Sequence, residues 1–244
     1  MKTSIIVQAR MGSTRLPGKI LKKVMNKPLL EYQIERLKQV KNADNLIIAT
    51  TKNQIDQPVK MLCEKLQCSY YLGSEKNVLS RYYEAALKFK ADCIVRINAD
   101  CPLIDPEIVE EIIGYYHLNS NKFDYVSNIL EKSYPIGLHT EVFSMNALIR
   151  ANQNASSKIE QEHVTPYIYR NPDIFRLYSY SIKDDLSKYR WTVDYPEDLR
   201  LVRVILEKLY PVNPGFKMMD IIDLMNSDKN LMQINNNFTK EQTL

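Results

Sequence analysis

Phosphate-binding chemistry is indicated by the residues that directly follow the first apolar run of the chain. Residues 4–7 (SIIV) predict a buried strand, and the polar segment 8–19 comes next. A loop around a polyphosphate needs glycine where the backbone approaches closely, hydroxyl and N–H donors, and cations that neutralise charge. Segment 8–19 supplies all three in Arg10, Gly12, Ser13, Thr14, Arg15, Gly18 and Lys19. Its spacing fits neither GxxxxGK[ST] nor GxGxxG, and the alternative is a basic surface loop without a ligand.

A carboxylate at the end of a second apolar run could hold a metal ion. Residues 93–98 predict a buried strand, and Asp100 follows it. Carboxylate oxygens suit Mg²⁺, which commonly takes one or two protein carboxylates together with substrate phosphates. A turn or a helix cap is the alternative for Asp100, but Asp105 already stands at the cap position before Pro106. Asp100 is therefore free to bind a ligand.

The elements that must position these groups alternate between strand and helix patterns. Apolar runs at 4–7, 45–50, 69–72 and 93–98 predict strands, and helical spacing follows each of them. Asp56 and Pro58 are typical of the start of the second helix. Right-handed crossovers bring the C-terminal ends of parallel strands to one edge, where open α/β sheets bind ligands. The alternation therefore predicts a parallel sheet with segment 8–19 and Asp100 at the same edge.

The pattern loosens after residue 120 and indicates a smaller mixed or antiparallel portion. Segments 124–128, 140–144 and 175–181 predict strands, and a last helix is predicted after Pro196. Residues 227–244 are polar and Asn-rich, which predicts a loosely held tail. Residues 1–226 are expected to form a single domain, because neither a repeat nor a linker interrupts them.

Composition and charge argue against several classes of function. With 244 residues, 45% of them hydrophobic and 25% charged, the chain lies in the ordinary globular range. The net charge of +4 is mild and spread along the chain, so no nucleic acid partner is expected. No run approaches the roughly 20 apolar residues of a membrane span, and no signal pattern opens the chain, so we expect a cytoplasmic protein. The cysteines lack zinc spacing and are expected to be reduced and buried: Cys63, Cys68, Cys93 and Cys101.

The string Gln-Ala-Arg-Met-Gly-Ser-Thr-Arg-Leu-Pro-Gly-Lys at 8–19 resembles the signature loop of sugar cytidylyltransferases. It is most similar to the branch of spore coat polysaccharide protein F, which is related to CMP-Kdo and CMP-sialate synthetases. The resemblance implies that this loop holds the triphosphate of CTP. It also implies a Rossmann-like, GT-A-like nucleotidyltransferase fold, a three-layer α/β sandwich with a mostly parallel sheet and a smaller antiparallel portion in the second half.

Two further strings extend the resemblance to a metal site. Residues 98–106 are similar to Gly-Asp-Cys-Pro-Leu-Ile-Asp-Pro, in which the first Asp holds the metal, with Ala99 in place of the usual Gly. Residues 193–199 are similar to Val-Asp-Thr-Pro-Glu-Asp-Leu, which implies that Asp194 joins the same metal; a helix cap is its alternative. Glu197 and Asp198 are assigned to helix stability, because the helix dipole favours negative charge in the first turn.

Three more strings concern the rest of the substrates. Residues 72–82 resemble the Gly-Ser-Glu-x-x-Val-Leu-x-Arg-Tyr block near the base and ribose, and Arg81 is either a nucleotide contact or an ion-pair partner. Residues 162–167 resemble Glu-His-Val-Thr-Pro-Tyr, and residues 135–142 resemble Gly-Leu-Asp-x-Glu-Val with His139 where Asp is usual. The second half of the chain is expected to build the acceptor pocket. The expected acceptor-binding residues are His139, Glu141, Glu162 and His163.

The resemblance as a whole implies an enzyme that uses Mg²⁺ and CTP. It transfers CMP to a sugar acid, sugar phosphate or polyol phosphate and releases pyrophosphate, for surface polysaccharide or glycan biosynthesis. The expected catalytic residues are Arg15, Lys19, Asp100 and Asp194, the last two as metal ligands. The expected nucleotide-binding residues are Gln8, Ala9, Arg10, Gly12, Ser13, Thr14, Arg15, Lys19, Gly73, Ser74 and Asn98.

Two alternatives of other classes stay open beside this prediction. A glycosyltransferase that uses a nucleotide sugar also binds a diphosphate and a metal, although its usual Asp-x-Asp motif is not found at residues 100–102. A nucleotide-binding subunit without catalytic activity is the second alternative. Related synthetases imply a homodimer, and the Tyr-rich residues 167–180 are the expected contact surface.

Overall fold

The computed structural model describes residues 1–236. Its first half alternates between strands and helices as predicted. In chain order it contains β1 (Thr3–Gln8), β2 (Lys23–Val24), β3 (Lys27–Pro28), α1 (Leu29–Leu37), β4 (Asn45–Thr51), α2 (Gln57–Lys65), β5 (Ser69–Gly73), α3 (Val78–Phe89), β6 (Cys93–Asn98) and α4 (Pro106–Asn119). The second half contains β7 (Tyr125–Ser127), β8 (Glu141–Ser144), α5 (Met145–Asn154), α6 (Lys158–His163), α7 (Pro166–Tyr169), β9 (Leu177–Ser179), α8 (Pro196–Leu209), α9 (Met218–Ser227) and α10 (Asn230–Gln233).

One mixed sheet of seven strands forms the centre of the described residues, in the order β5-β4-β1-β6-β8-β7-β9. β1 pairs in parallel with β4 and β6, whereas β8 is antiparallel to both β6 and β7. Both faces of β1 are covered, since Ile5 and Val7 lie in one apolar cluster and Ile6 lies in the other. Strands buried on both faces read as continuous apolar runs, which is why residues 4–7 do not alternate. The predicted α/β sandwich, mostly parallel with an antiparallel portion, is confirmed.

The crossing from β6 to α4 follows the predicted local chemistry. Asp105 caps α4 by accepting a hydrogen bond from Glu107 N at 3.0 Å, and Pro106 occupies the first helical position. Below this crossing, the Gln33 side chain donates to Asn98 O at 2.7 Å and Cys101 O at 2.9 Å. The backbone on both sides of Asp100 is therefore held in place from α1.

Residues 227–236 are better ordered than their composition predicts. α8 is not the last helix, because α9 and α10 follow it, and Leu231 and Asn235 are buried. A loosely held tail from residue 227 is thus wrong for residues 227–236; residues 237–244 lie outside the described part of the chain. Within residues 1–236, every helix is too short or too polar to cross a bilayer.

Candidate active site

The loop between β1 and β2 is closed by its own backbone and anchored to the sheet. Met11 O accepts hydrogen bonds from Ser13 N at 2.9 Å and Gly18 N at 3.1 Å. Gly18 has a φ of 66°, in the left-handed region that favours glycine. Met11 N in turn donates to Asp56 Oδ1 at 2.6 Å. Residues 12–15 consequently line a cavity beside the C-terminal end of β1.

Asp56 supports this loop, although the sequence pattern assigns it only to a helix start. Its backbone does precede α2, but its side chain does not cap that helix. The carboxylate instead accepts from Met11 N and from the Thr51 hydroxyl at the end of β4. Met11 is 45 positions away along the chain, so no local signal could have indicated this contact.

The two predicted metal-binding carboxylates meet at Lys19. The Lys19 ammonium donates to Asp100 Oδ2 at 2.7 Å and to Asp194 Oδ1 at 2.8 Å. Arg15 Nη2 reaches the same Asp194 oxygen at 2.7 Å. The segment after β6 is joined to the segment before α8 by Val193 N, which donates to Asp100 O at 2.8 Å. The structure therefore brings all four predicted catalytic residues into direct contact.

The charges of this cluster raise the pKa of Lys19 and lower the pKa of Asp194. Burial alone lowers the pKa of Lys19, but Asp100 and Asp194 outweigh burial and hold that pKa above its ordinary value. Burial alone raises the pKa of Asp194, but Lys19 and Arg15 outweigh it and hold the pKa below its ordinary value of 3.8. Lys19 is therefore a cation and Asp194 an anion at neutral pH.

Asp194 is held from behind by Arg190. Arg190 Nη2 donates to Asp194 Oδ2 at 3.0 Å and to Asp198 Oδ2 at 3.0 Å. Asp198 also accepts from the backbone N–H groups of Asp194 and Tyr195, which supports its assignment to the start of α8. The side chain of Asp194 makes no such cap; its oxygens bind cations. Asp198 thus has a second role, as the partner of the arginine behind the site.

Most of the predicted nucleotide-binding residues line one cavity of about 340 Å³. It lies over the C-terminal ends of β1 and β6, which is the predicted edge of the sheet. Predicted residues in its wall are Gln8, Ala9, Arg10, Gly12, Ser13, Thr14, Arg15, Lys19, Asn98, Asp100, Glu162, His163 and Asp194. Residues of the wall that were not placed in the predicted set are Ile20, Val78, Arg81, Arg96 and Ala99.

Gly73 and Ser74 lie outside this wall and support Arg81 instead. The Arg81 side chain is 1% exposed and donates to Ser74 O at 2.7 Å. A Cβ on Gly73 would approach Arg81 Cγ to 2.7 Å, so only glycine leaves room for the arginine. Burial lowers the pKa of Arg81. Of its two predicted roles, the cavity position favours a ligand contact, since Arg81 has no ion pair within residues 1–236.

Arg96 is a cavity residue that the sequence pattern missed. It stands in β6 opposite Glu141 of β8, and its Nη1 donates to Glu141 Oε1. Tyr125 OH donates to the other Glu141 oxygen at 2.8 Å. Burial would lower the pKa of Arg96, but Glu141 keeps it above its ordinary value. An arginine inside an otherwise apolar strand was the available signal.

The predicted acceptor residues divide between two places. Glu162 and His163 line the main cavity, and Glu162 Oε1 is 3.5 Å from Arg10 Nη2. His139 lines a second cavity of about 90 Å³, whose wall shares Asp100 and Asp194 with the main cavity. Glu141 is 2% exposed and lines neither cavity. Burial lowers the pKa of both His139 and His163, so both imidazoles are neutral at pH 7.

The cysteines are buried and unpaired, as predicted. Burial raises the pKa of Cys68 to about 11 and that of Cys63 to about 12. Cys101, beside Asp100, has a pKa well above its ordinary value, because burial and the carboxylate both oppose the thiolate. A thiolate nucleophile at this site is therefore excluded at neutral pH.

Comparison with known proteins gives matches along nearly the whole chain. The profile of a family described as "Cytidylyltransferase" matches residues 4–207. The spore coat polysaccharide biosynthesis protein SpsF of Bacillus subtilis is 32% identical over 91% of this chain and 92% of its own. A 3-deoxy-manno-octulosonate cytidylyltransferase of Geobacter metallireducens is 30% identical over 47% of this chain and 44% of its own.

A solved structure of similar shape covers the same length. It is a cytidylyltransferase from Leptospira borgpetersenii, with a TM-score of 0.91 and 31% sequence identity, and the match covers 96% of this chain and 97% of that one. The fold described above therefore also occurs in a solved cytidylyltransferase structure.

Proposed function

Since the chain belongs to the cytidylyltransferase family and is a nucleotidyltransferase, we propose that it transfers CMP from CTP to an anionic sugar or polyol. The acceptor is a sugar acid, a sugar phosphate or a polyol phosphate, and pyrophosphate is the second product. One observation carries the proposal: the ammonium of Lys19, the last residue of segment 8–19, contacts both Asp100 and Asp194 in the cavity that this segment lines. Groups for the phosphates and for a cation thus share one cavity.

The reaction is an in-line displacement at the α-phosphorus of CTP. An acceptor oxygen forms the new P–O bond, the bond to the β-phosphate oxygen breaks, and pyrophosphate leaves with the electron pair. Arg15 and Lys19 bind the β- and γ-phosphates, where negative charge increases as the bond breaks. The backbone N–H groups of Gly12 and Thr14 bind the phosphates, and the loop contacts at Met11, one of them from Ser13 N, keep these donors in position. An acceptor carboxylate or phosphate arrives already ionised and needs no general base, whereas an acceptor hydroxyl would have to give up its proton to a base.

Asp100 and Asp194 would hold the divalent cation that this family generally uses, and we propose Mg²⁺. The donor set fits, because one oxygen of each carboxylate already contacts a single ammonium at 2.7 and 2.8 Å. Within residues 1–236, no third His, Cys, Asp or Glu joins them in a metal-binding group. Two carboxylates suit Mg²⁺, which fills its remaining positions with water and substrate phosphates. When bound, the ion neutralises phosphate charge and polarises the α-phosphorus.

The far wall of the cavity supports an anionic acceptor. Arg96 is 8% exposed, and its Nε is buried without a hydrogen-bond partner in the described part of the chain. A buried donor of this kind is costly unless a ligand satisfies it. We place Glu162 and His163 beside the acceptor, and Glu141 acts through Arg96 by keeping it charged. We also assign His139 to the acceptor, because it lines the second cavity together with Asp100. Membership in a polysaccharide pathway is proposed from the B. subtilis relative's name.

Pyrophosphate release tests this function directly. We expect turnover with CTP and Mg²⁺ on at least one member of a panel of sugar acids, sugar phosphates and polyol phosphates, and none with UTP, ATP or GTP. Asp100→Asn keeps the side chain's shape, removes its charge and should lower kcat at least about 100-fold. Asp105→Asn is the matched control, because Asp105 caps α4 outside the cavity and should affect stability only.

Two results would count against the proposal. Wild-type turnover in Asp100→Asn would exclude Asp100 from the metal site. Measurable CTP binding without pyrophosphate release on any acceptor would favour the non-catalytic alternative, and consumption of a nucleotide sugar would favour the glycosyltransferase.

We also propose a homodimer that forms through residues 167–180. β9 is one of the two edge strands of the sheet within the described residues. Beside it, half-buried rings of Tyr115 and Tyr178 stack at 4.5 Å, and Phe123 lies 5.0 Å from Tyr178. Sedimentation velocity at micromolar concentration should show a dimer, and a monomer alone would rule it out. A cytoplasmic location is proposed with it, since four unpaired thiols suit a reducing compartment.

A further inference from the structure

Asn235 lies beyond the residues that the family model matches. Its side chain nevertheless contacts Arg190 and Asp198, the buried pair next to Asp194 of the active site. Its side chain is buried, and its Nδ2 donates to Asp198 Oδ1 at 2.8 Å and to Arg190 O at 3.0 Å. Both partners are obligate acceptors, so the amide must present its NH₂ group to them. α10, the helix before Asn235, is fixed by the buried Leu231.

Asp198 is fully buried, and its two oxygens divide their partners between them. Oδ2 accepts from Arg190 and from two backbone N–H groups, whereas the donors to Oδ1 among the described residues are Arg190 Nε at 3.0 Å and Asn235. Removing Asn235 leaves Oδ1 with Arg190 alone. A buried carboxylate oxygen that loses a donor costs free energy, and a closer approach of Arg190 would recover part of that cost.

Arg190 is the residue through which such a change would reach the active site. Its Nη2 is shared between Asp198 and Asp194, and its side chain is 1% exposed, so water cannot replace either contact. If Arg190 moves toward Asp198, Asp194 Oδ2 loses the one side-chain donor it has among residues 1–236, and the carboxylate is then held through Oδ1 alone, by Lys19 and Arg15. The three contacts thus form a continuous path from Asn235 to Asp194.

We propose that Asn235 is a positioning residue that fixes the Asp194 carboxylate by keeping Arg190 shared between two carboxylates. The catalytic part of this inference rests on the proposed function, whereas the coupling between Asn235 and Asp194 does not. Residues 230–235 accordingly contribute to the geometry of the active site.

A double-mutant cycle on unfolding in urea tests the coupling without any substrate. The variants are Asn235→Ala, Asp194→Asn and both together. Asp194→Asn releases Arg190 to serve Asp198 alone, so Asn235→Ala should perturb the unfolding equilibrium at least about threefold less in that background. Asn236→Ala, at the exposed neighbouring position, should be additive with Asp194→Asn. An additive Asn235→Ala would overturn the proposal, whatever the enzyme's activity.

Kinetics then separate positioning from simple packing. Asn235→Ala should raise the Mg²⁺ concentration for half-maximal rate about tenfold, the size typical of residues that orient metal ligands. The KM for CTP at saturating Mg²⁺ should change less than about twofold. Asn235→Asp keeps the shape but replaces the donor by an acceptor, so it should be more severe than alanine. An Asn235→Asp enzyme with an unchanged Mg²⁺ requirement would show that the amide only fills space and would refute the role.

A wild-type protein with the coupling but without cytidylyltransferase activity would contradict the proposed function alone. The two failures are therefore distinguishable.

Discussion

Replacing Lys19 by methionine should create a site at which Mg²⁺ takes over the structural role of the ammonium. Lys19 makes two charge-assisted hydrogen bonds, to Asp100 and Asp194, and its side chain is 12% exposed. Such bonds contribute about 1.5–3 kcal/mol each, and desolvation of the ammonium offsets part of that sum. Asp194 keeps Arg15 and Arg190 in the variant. We therefore expect Lys19→Met to lower the free energy of unfolding by about 2–3 kcal/mol.

Mg²⁺ should restore much of that stability without restoring activity. In the variant, Asp100 and Asp194 face each other without the positive charge of the Lys19 ammonium between them. With a Kd of about 1 mM, about 10 mM Mg²⁺ would add about 1.4 kcal/mol to the free energy of unfolding. The wild-type protein should respond less, because its ammonium occupies that position. Turnover stays at least about 100-fold lower, since the β- and γ-phosphates have lost Lys19.

Urea denaturation with and without MgCl₂ measures this difference. Lys27→Met is the matched control, because Lys27 pairs with Glu35 at 2.7 Å and with Tyr210 at 2.6 Å outside the cavity. It should lower stability with no added response to Mg²⁺. Equal Mg²⁺ responses in wild type and Lys19→Met would refute the inference that the ammonium and the divalent cation share a position.

Two further predictions concern packing and pH. Gly73→Ala should lower the free energy of unfolding by about 1–3 kcal/mol in urea denaturation, because its Cβ would meet Arg81 Cγ at 2.7 Å. Gly114→Ala in α4 should not, because its Cβ would lie 3.8 Å from the nearest neighbouring atom. Equal losses of stability in the two variants would contradict the argument. Burial raises the pKa of Asp194, but Lys19 and Arg15 hold it below 3.8 on balance. Its stabilising contribution is therefore complete above the unfolded value and is lost as pH falls through the lower folded value. Asp194→Asn should lose less stability than wild type between about pH 5 and pH 3. Equal losses of unfolding free energy in the two proteins over this range would argue against this assignment.

The site's location could be predicted because the relevant signals are local. The parallel strands β1 and β6 have contiguous apolar sequences, and the segments after them must meet at one edge of the sheet. Asp105 before Pro106 marks the start of α4 from sequence alone, which leaves Asp100 for another role. These features need no knowledge of distant contacts.

The supporting contacts could not be predicted, because they join positions far apart in sequence. Asp56 holds Met11 over 45 positions, Arg96 pairs with Glu141 over 45, and Asn235 reaches Asp198 over 37. A polar composition predicted a loose C-terminal tail, but a single buried amide with two acceptor partners gives residue 235 a fixed place. A polar side chain is therefore expected to be exposed only where no buried charged group needs it as a hydrogen-bond donor.

The charge balance of the cavity supports the proposed divalent cation. The cations in and directly behind the cavity are Arg10, Arg15, Lys19, Arg81, Arg96 and Arg190. The carboxylates are Asp100, Glu141, Glu162, Asp194 and Asp198. The cluster is thus nearly neutral before any substrate binds, and of its cations Arg81 alone lacks a carboxylate partner within the described residues. A triphosphate carries several negative charges, so the protein's own groups cannot neutralise it without giving up pairs that hold the site together. The proposed divalent cation, held by Asp100 and Asp194, would supply the missing charge and would leave Lys19 to bind the phosphates.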